Sequence, residues 1–173
     1  MSIFLTKQKI IKDWTDYNGH MNVAYYVLIF DQYGSEVLLT RFDMGEHSAK
    51  TTKKSTMVVE SHITYNQEVK EGEEVDVNLV YCNHDKKRIL YKLEMIHKEK
   101  KYLAATLEAL SLYVDLGQRK VAEFEDEKIK LMDNFISENK SGFKSDDLKF
   151  LTKLKKIIAI LIFCYLINIP IHK

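Results

Sequence analysis

Asp16, Gly19, His20 and Asn22 fall within seven residues, Asp16-Tyr17-Asn18-Gly19-His20-Met21-Asn22. The run Val23-Ala24-Tyr25-Tyr26-Val27-Leu28-Ile29-Phe30 follows at once, with Asp31 behind it. A carboxylate three residues ahead of a glycine, at the start of an apolar helix, is a small toolkit for acyl transfer or hydrolysis. Asp16 would act as nucleophile or as general base toward water. Gly19 lets backbone approach a ligand closely, and the Gly19 and His20 N–H groups offer donors to an oxyanion. The helix start adds unpaired N–H groups and positive potential. An aspartate alone in such a place more often caps a turn. Gly19, Asn22 and the strand order downstream favour the catalytic role.

The neighbouring candidates carry two readings each. His20 is a general base or, as the favoured reading, a histidine that shapes the loop. Asn22 caps the helix or orients substrate, with equal weight. Tyr26 lies one turn beyond Asn22 on the same helix face, where it lines an acyl pocket or fills the core. Asp31 sits inside a helix expected to be buried, where an unpaired carboxylate is costly. It therefore pairs across a subunit interface or faces the site of a neighbouring protomer. Lys86-Lys87-Arg88 and Arg119-Lys120 either meet coenzyme A phosphates or, the favoured reading, are a charged hairpin and a strand end.

These side chains need a frame. Gly and Pro number six and one, so long elements are expected. Residues 3–11 alternate loosely and read as a first strand. Residues 23–39 lack turn signals and read as a helix, apolar nearly all round and so buried on most sides. Four strand-like runs follow, at 56–66, 74–82, 88–97 and 102–115, with turns at 70–73 and 83–86. A strand, a buried helix and a four-strand meander give an α+β fold, a helix wrapped by an antiparallel sheet. Ile129, Met132 and Phe135 have the spacing of an amphipathic helix over 125–135.

The motif Asp16-x-x-Gly19-His20-x-Asn22-x-x-x-Tyr26, with Asp31, resembles the opening signature of hot-dog-fold acyl-CoA thioesterases of the 4-hydroxybenzoyl-CoA thioesterase type. Residues 14–27, 59–65 and 104–108 resemble more narrowly the betainyl-CoA thioesterase group of carnitine breakdown, also found fused to carnitine dehydrogenases. The resemblance runs to about Phe124. It implies a hot-dog fold, a five-stranded antiparallel sheet around a long central helix. It implies hydrolysis of a small acyl-CoA, with betainyl-CoA as the candidate. It also implies a homodimer or homotetramer with sites built between protomers. Coenzyme A enters as part of the substrate, and no separate cofactor is expected. Within this resemblance, Glu60 and His62 share one strand face and read as a substrate-cation site rather than two solvated residues. A trimethylammonium group favours a carboxylate and aromatic faces, which Tyr65, Tyr25, Tyr26 and Trp14 would supply. A non-catalytic acyl-CoA or acyl-carrier binding module and a hot-dog dehydratase stand as alternatives.

Composition narrows the rest. The chain has 173 residues and a formal net charge of +1, which argues against a dedicated nucleic-acid binder. Cys82 and Cys164 are far apart, and the six histidines lack metal-ligand spacing, so neither a disulfide framework nor a metal is expected. No GxSxG, GxxxxGK[ST], GxGxxG or HExxH occurs. Lys7 and Lys9 interrupt any apolar stretch at the start, and a cytoplasmic protein is expected. The body is expected to occupy 1–136, with a polar linker at 137–147 and a lysine-flanked apolar tail at 148–173. The tail is shorter than a membrane span needs. It anchors at a membrane surface, packs on the oligomer, or has no function.

Overall fold

The structure, a computed structural model, describes residues 2–154. Strand β1 (Ile3–Lys9) leads through a short 3₁₀ turn to helix α1 (Val23–Leu28). A π-helical segment (Ile29–Ser35) and α2 (Glu36–Thr40) continue α1 without a break. Then come α3 (Glu46–Thr52), β2 (Lys54–Tyr65), β3 (Glu74–His84), β4 (Arg88–His97), β5 (Leu103–Asp115), β6 (Lys120–Val121) and α4 (Asp126–Asn139).

Alternation builds the sheet. Val75, Val77 and Leu79 on β3 and Leu93 and Met95 on β4 are fully buried and point toward the helix. The antiparallel order is β1-β3-β4-β5-β2, so the five expected strands form one sheet. A two-residue sixth strand, β6, pairs with the end of β5. The helix from Val23 to Thr40 lies against this sheet and buries Ile29, Phe30 and Leu38 completely. Gly34 permits the close approach: a Cβ there would meet Leu93 Cδ1 at 3.0 Å and Val77 Cγ1 at 3.1 Å. The π-helical turn is pinned by Ser35 Oγ, which donates to the Phe30 carbonyl at 3.0 Å.

Two expectations are corrected. The helix is not buried on most sides: Val23 is 54% and Val27 41% exposed, and Asp31 is exposed on the same flank. Beside that flank runs β2, the sheet's edge, with Met57, Val58 and Val59 each about half exposed. The apolar side chains that imply an all-round buried helix face this open edge instead. The second correction concerns the segment expected to be a linker. Helix α4 runs on to Asn139, and residues 143–154 lie across the outer face of the sheet. Phe150 and Leu154, with Phe143, Leu148 and Leu151, cover Tyr81, Leu90 and Leu110 there. Lys144 N–H donates to the Val80 carbonyl at 2.8 Å. The apolar stretch beyond residue 154 lies outside the described residues. Among the described residues, no helix is long and apolar enough to cross a membrane.

Candidate active site

The motif folds as a small hairpin wedged against the β2–β3 loop. Asp16 N–H donates to the His20 carbonyl at 2.9 Å, and Asn22 N–H to the Trp14 carbonyl at 2.9 Å. Between them, Gly19 adopts φ +75°, a conformation glycine takes without strain. The second arm pairs onward, with Met21 N–H donating to the Val69 carbonyl at 2.7 Å and His20 bridging to Lys70. Asp16 thus stands where the hairpin turns. One of its oxygens, Oδ1, accepts the Asn18 N–H at 2.8 Å, which fixes the carboxylate's direction.

The Gly19 N–H donates to the Asp16 carbonyl at 3.0 Å, so the turn itself consumes it. Gly19 therefore serves through its backbone conformation rather than as an oxyanion donor. Asn22 Oδ1 accepts the Ala24 N–H at 3.0 Å and caps α1. His20 Nε2 lies 3.0 Å from Glu68 Oε2.

Beside the hairpin, Met21, Val23, Tyr26, Tyr65, Asn66, Gln67 and Glu68 line a groove of about 350 Å³. Tyr26 and Tyr65 meet edge to face, with ring centroids 5.3 Å apart. Burial pushes the Tyr26 phenol up, against the Val69 backbone hydrogen bond, so it stays a neutral hydroxyl. Trp14 stacks on Tyr25 at 5.8 Å and contacts Tyr33 at 6.3 Å, and none of these three lines the groove.

Asp31 lines a second, larger cavity of about 600 Å³, between the helix, α3 and the start of β2. Among the described residues its walls carry three carboxylates, Asp31, Glu36 and Glu46, and no Lys, Arg or His. Glu36 Oε1 is engaged by the Glu46 N–H at 2.8 Å, and Glu46 by Lys50. The buried Ser35, Tyr91 and Ser111 contribute a hydroxyl lining. The Tyr91 phenol is pushed up by burial, with the Ser35 and Ser111 hydroxyls acting the other way. Sequence reasoning missed these three. The only sequence signal is Ser35, four residues beyond Asp31.

Glu60 and His62 line neither cavity. In register they oppose Leu110 and Glu108 of β5, residues of the outer face. Glu60 pairs there with Lys153, and His62 is exposed. The strand's bulge between Val58 and Glu60 is not visible in sequence, and the solvated alternative describes this pair. Arg88 is held by Asp85 at 2.7 Å and Lys87 faces Glu123 at 3.4 Å, the charged-hairpin reading. Arg119 and Lys120 line a smaller pocket of about 180 Å³ with Met57 and Val121. Burial pushes the Cys82 thiol up to about 12, so it is no nucleophile.

Comparison with known proteins agrees with this architecture. The family described as the Thioesterase-like superfamily matches residues 11–135. A betainyl-CoA thioesterase from Pseudomonas aeruginosa is 30% identical over 118 residues, 68% of this chain and 74% of its own. A solved structure from Pseudomonas putida KT2440 superposes with a TM-score of 0.73 at 26% identity, covering 86% of this chain and 94% of that one. A DHNA-CoA thioesterase from Staphylococcus aureus shares the fold at 16% identity, with a TM-score of 0.72 and coverage of 83% and 96%. A Staphylococcus aureus protein solved in complex with CoA does so at 21% identity, with a TM-score of 0.68 and coverage of 86% and 90%.

Proposed function

Because the chain belongs to the thioesterase-like superfamily, as a hot-dog acyl-CoA thioesterase, we propose that it hydrolyses a small cationic acyl-CoA, betainyl-CoA foremost, through Asp16. The observation that carries this reading is the placement of Asp16. Its hairpin packs beside a groove walled by Tyr26 and Tyr65 and lends that wall Met21; Asp16 itself lines neither cavity, and its second oxygen has no hydrogen-bond partner among the described residues. That oxygen attacks the thioester carbon or takes a proton from the attacking water. The His20 N–H steadies the oxyanion, the C–S bond breaks, and the thiolate leaves; where Asp16 itself has attacked, water then cleaves the mixed anhydride, freeing the acid and the Asp16 carboxylate.

The cationic preference rests on the second cavity and on the name of the Pseudomonas relative. Asp31 and Glu36 offer negative potential there, while Glu46 is paired with Lys50. The open β2 edge supports a homodimer in which β2 pairs with its own copy about a two-fold axis. Antiparallel pairing near Val59 sets the Tyr65 end of one strand against the Lys54 end of the other. The tyrosine groove of one protomer then meets the Asp31 cavity of its partner, which joins a reacting centre to a cation pocket.

A panel of acyl-CoAs with a thiol-reactive dye tests the reading. Betainyl-CoA is expected to give a higher kcat/KM than acetyl-CoA and long-chain acyl-CoAs. Binding of the panel without release of thiol would mean a non-catalytic acyl-CoA module instead.

A further inference from the structure

We propose that Glu68 is a positioning residue for the motif hairpin, acting through His20; this rests on the thioesterase reading above. Glu68 lies in the β2–β3 loop, 48 residues from His20 in sequence, and nothing in its local sequence singles it out. Its carboxylate is shared: Oε2 lies 3.0 Å from His20 Nε2 and Oε1 lies 3.5 Å from Lys70 Nζ. Its backbone carbonyl accepts the Tyr102 hydroxyl at 2.6 Å, tying the loop to the start of β5. The next residue, Val69, accepts the Met21 N–H at 2.7 Å. Glu68 therefore joins the strand framework to the hairpin that bears Asp16.

The chemistry of the contact sets a proton. A carboxylate accepts only, so Nε2 of His20 carries hydrogen and neutral His20 keeps its lone pair on Nδ1. With the ring held, the arm His20–Asn22 is fixed against Val69–Lys70, and the Asp16 N–H keeps its acceptor at the His20 carbonyl. Both partners are partly exposed, 34% for His20 and 51% for Glu68. Such a pair adds little to global stability, so its role is readable as geometry at Asp16. A catalytic group misplaced by about 1 Å can lose up to about 10²-fold in rate.

The experiment compares wild type, Glu68→Ala, Glu68→Gln and, as a neighbouring control, Glu71→Gln. Each is assayed for kcat and KM on one cationic and one neutral acyl-CoA, with a thermal melt. Glu68→Ala is expected to lose about tenfold in kcat on both substrates, with KM within about twofold. Glu68→Gln, which keeps an acceptor oxygen, recovers most of it, and Glu71→Gln behaves as wild type. In parallel, ¹⁵N NMR of the His20 ring in wild type is expected to show hydrogen on Nε2. Unchanged kcat in Glu68→Ala overturns the proposal. So does a loss confined to KM on the cationic substrate, which would make Glu68 a cation contact. Hydrogen on Nδ1 of neutral His20 in wild type overturns it whether or not the alanine variant folds. Absence of turnover in wild type on the whole panel overturns the thioesterase reading instead, and the ring measurement then still judges the clasp.

Discussion

Glu108 of β5, only 2% exposed on the outer face of the sheet, accepts the Phe150 backbone N–H at 2.7 Å. Its other oxygen accepts the Lys149 N–H at 2.7 Å, so one buried carboxylate clasps the start of the final described turn. This clasp ties the strap of residues 143–154 to the sheet. Charge-assisted bonds of this kind are the stronger ones, and a buried carboxylate without partners would be costly.

Shortening the chain after Gly142 would bare Tyr81, Leu90 and Leu110 and leave Glu108 without both donors. Such a variant is expected to aggregate or to melt well below the full chain. The point substitution Glu108→Ala is expected to cost about 2 kcal/mol, roughly 4–8 °C in Tm for a chain of this size. Calorimetry on the two variants checks it. A soluble, fully stable protein lacking residues 143–173 would show that the strap is dispensable.

Asp16→Asn is expected to lose about 10²-fold or more in thioester hydrolysis while keeping the fold. An amide can still accept the Asn18 N–H, so the hairpin stays closed. What goes is the nucleophile or base. Steady-state kinetics with a circular dichroism spectrum decide, and near-normal turnover would remove Asp16 from the mechanism.

Asp31→Asn is expected to lower kcat/KM about tenfold for a cationic acyl-CoA and to leave a neutral one of similar size nearly unchanged. Two opposite charges about 4 Å apart near a protein surface attract by about 4 kcal/mol before desolvation, and a net loss of about 1.4 kcal/mol is enough for that factor. Equal losses on both substrates would assign Asp31 to the fold rather than to selectivity.

Glu73 gives a pH dependence with a definite sign. Burial alone would raise its carboxyl, but hydrogen bonds from Lys100 and the Lys70 N–H, with the His97 ring 3.4 Å away, hold it down at about 2. A carboxyl depressed in the folded state stabilises above its unfolded value near 4.5, and that contribution fades as pH falls toward 2. Glu73→Gln is therefore expected to lose on the order of 2–3 kcal/mol at pH 7. Urea midpoints of wild type and variant should converge as pH drops from about 4.5 to about 2. A constant gap across that range would contradict the assignment.

How far the sequence could be read follows from what each element depends on. Strand β4 begins and ends where alternation places it, because a strand with a buried face shows its period locally. The helix start is visible as well, since Asn22 is both a cap and the boundary of the apolar run. Helix α3, Glu46–Thr52, has no buried residue and so no period to find. The strap reads in sequence as the end of a polar linker (137–147) and the start of an apolar tail (148–173), because Phe143, Leu148 and Phe150 are spaced by charge, and only the sheet's outer face makes them core. At the groove, Tyr26 and Tyr65 are legible from motif and aromatic content. Glu68, Tyr91 and Ser111 are not, because pairing between distant loops and strands leaves no local pattern. Glu60 and His62 shared a face as expected, yet which face was decided by register and a bulge.

The wide turns of Ile29–Ser35 work as a phase adjuster between two halves of one rod. Upstream, Tyr26 turns inward while Val23 and Val27 look out; downstream, Leu38 and Leu39 must turn inward again. A π-helical turn carries about one residue more than an α turn, so each half keeps its own angular setting over the sheet. Deleting Gln32 would let the segment relax to a plain α-helix, still continuous. That change would keep the two halves in phase, whereas a plain α-helix through the full sequence would swing one half by roughly 100° relative to the other, carrying Asp31 out of its cavity or Leu38 out of the core.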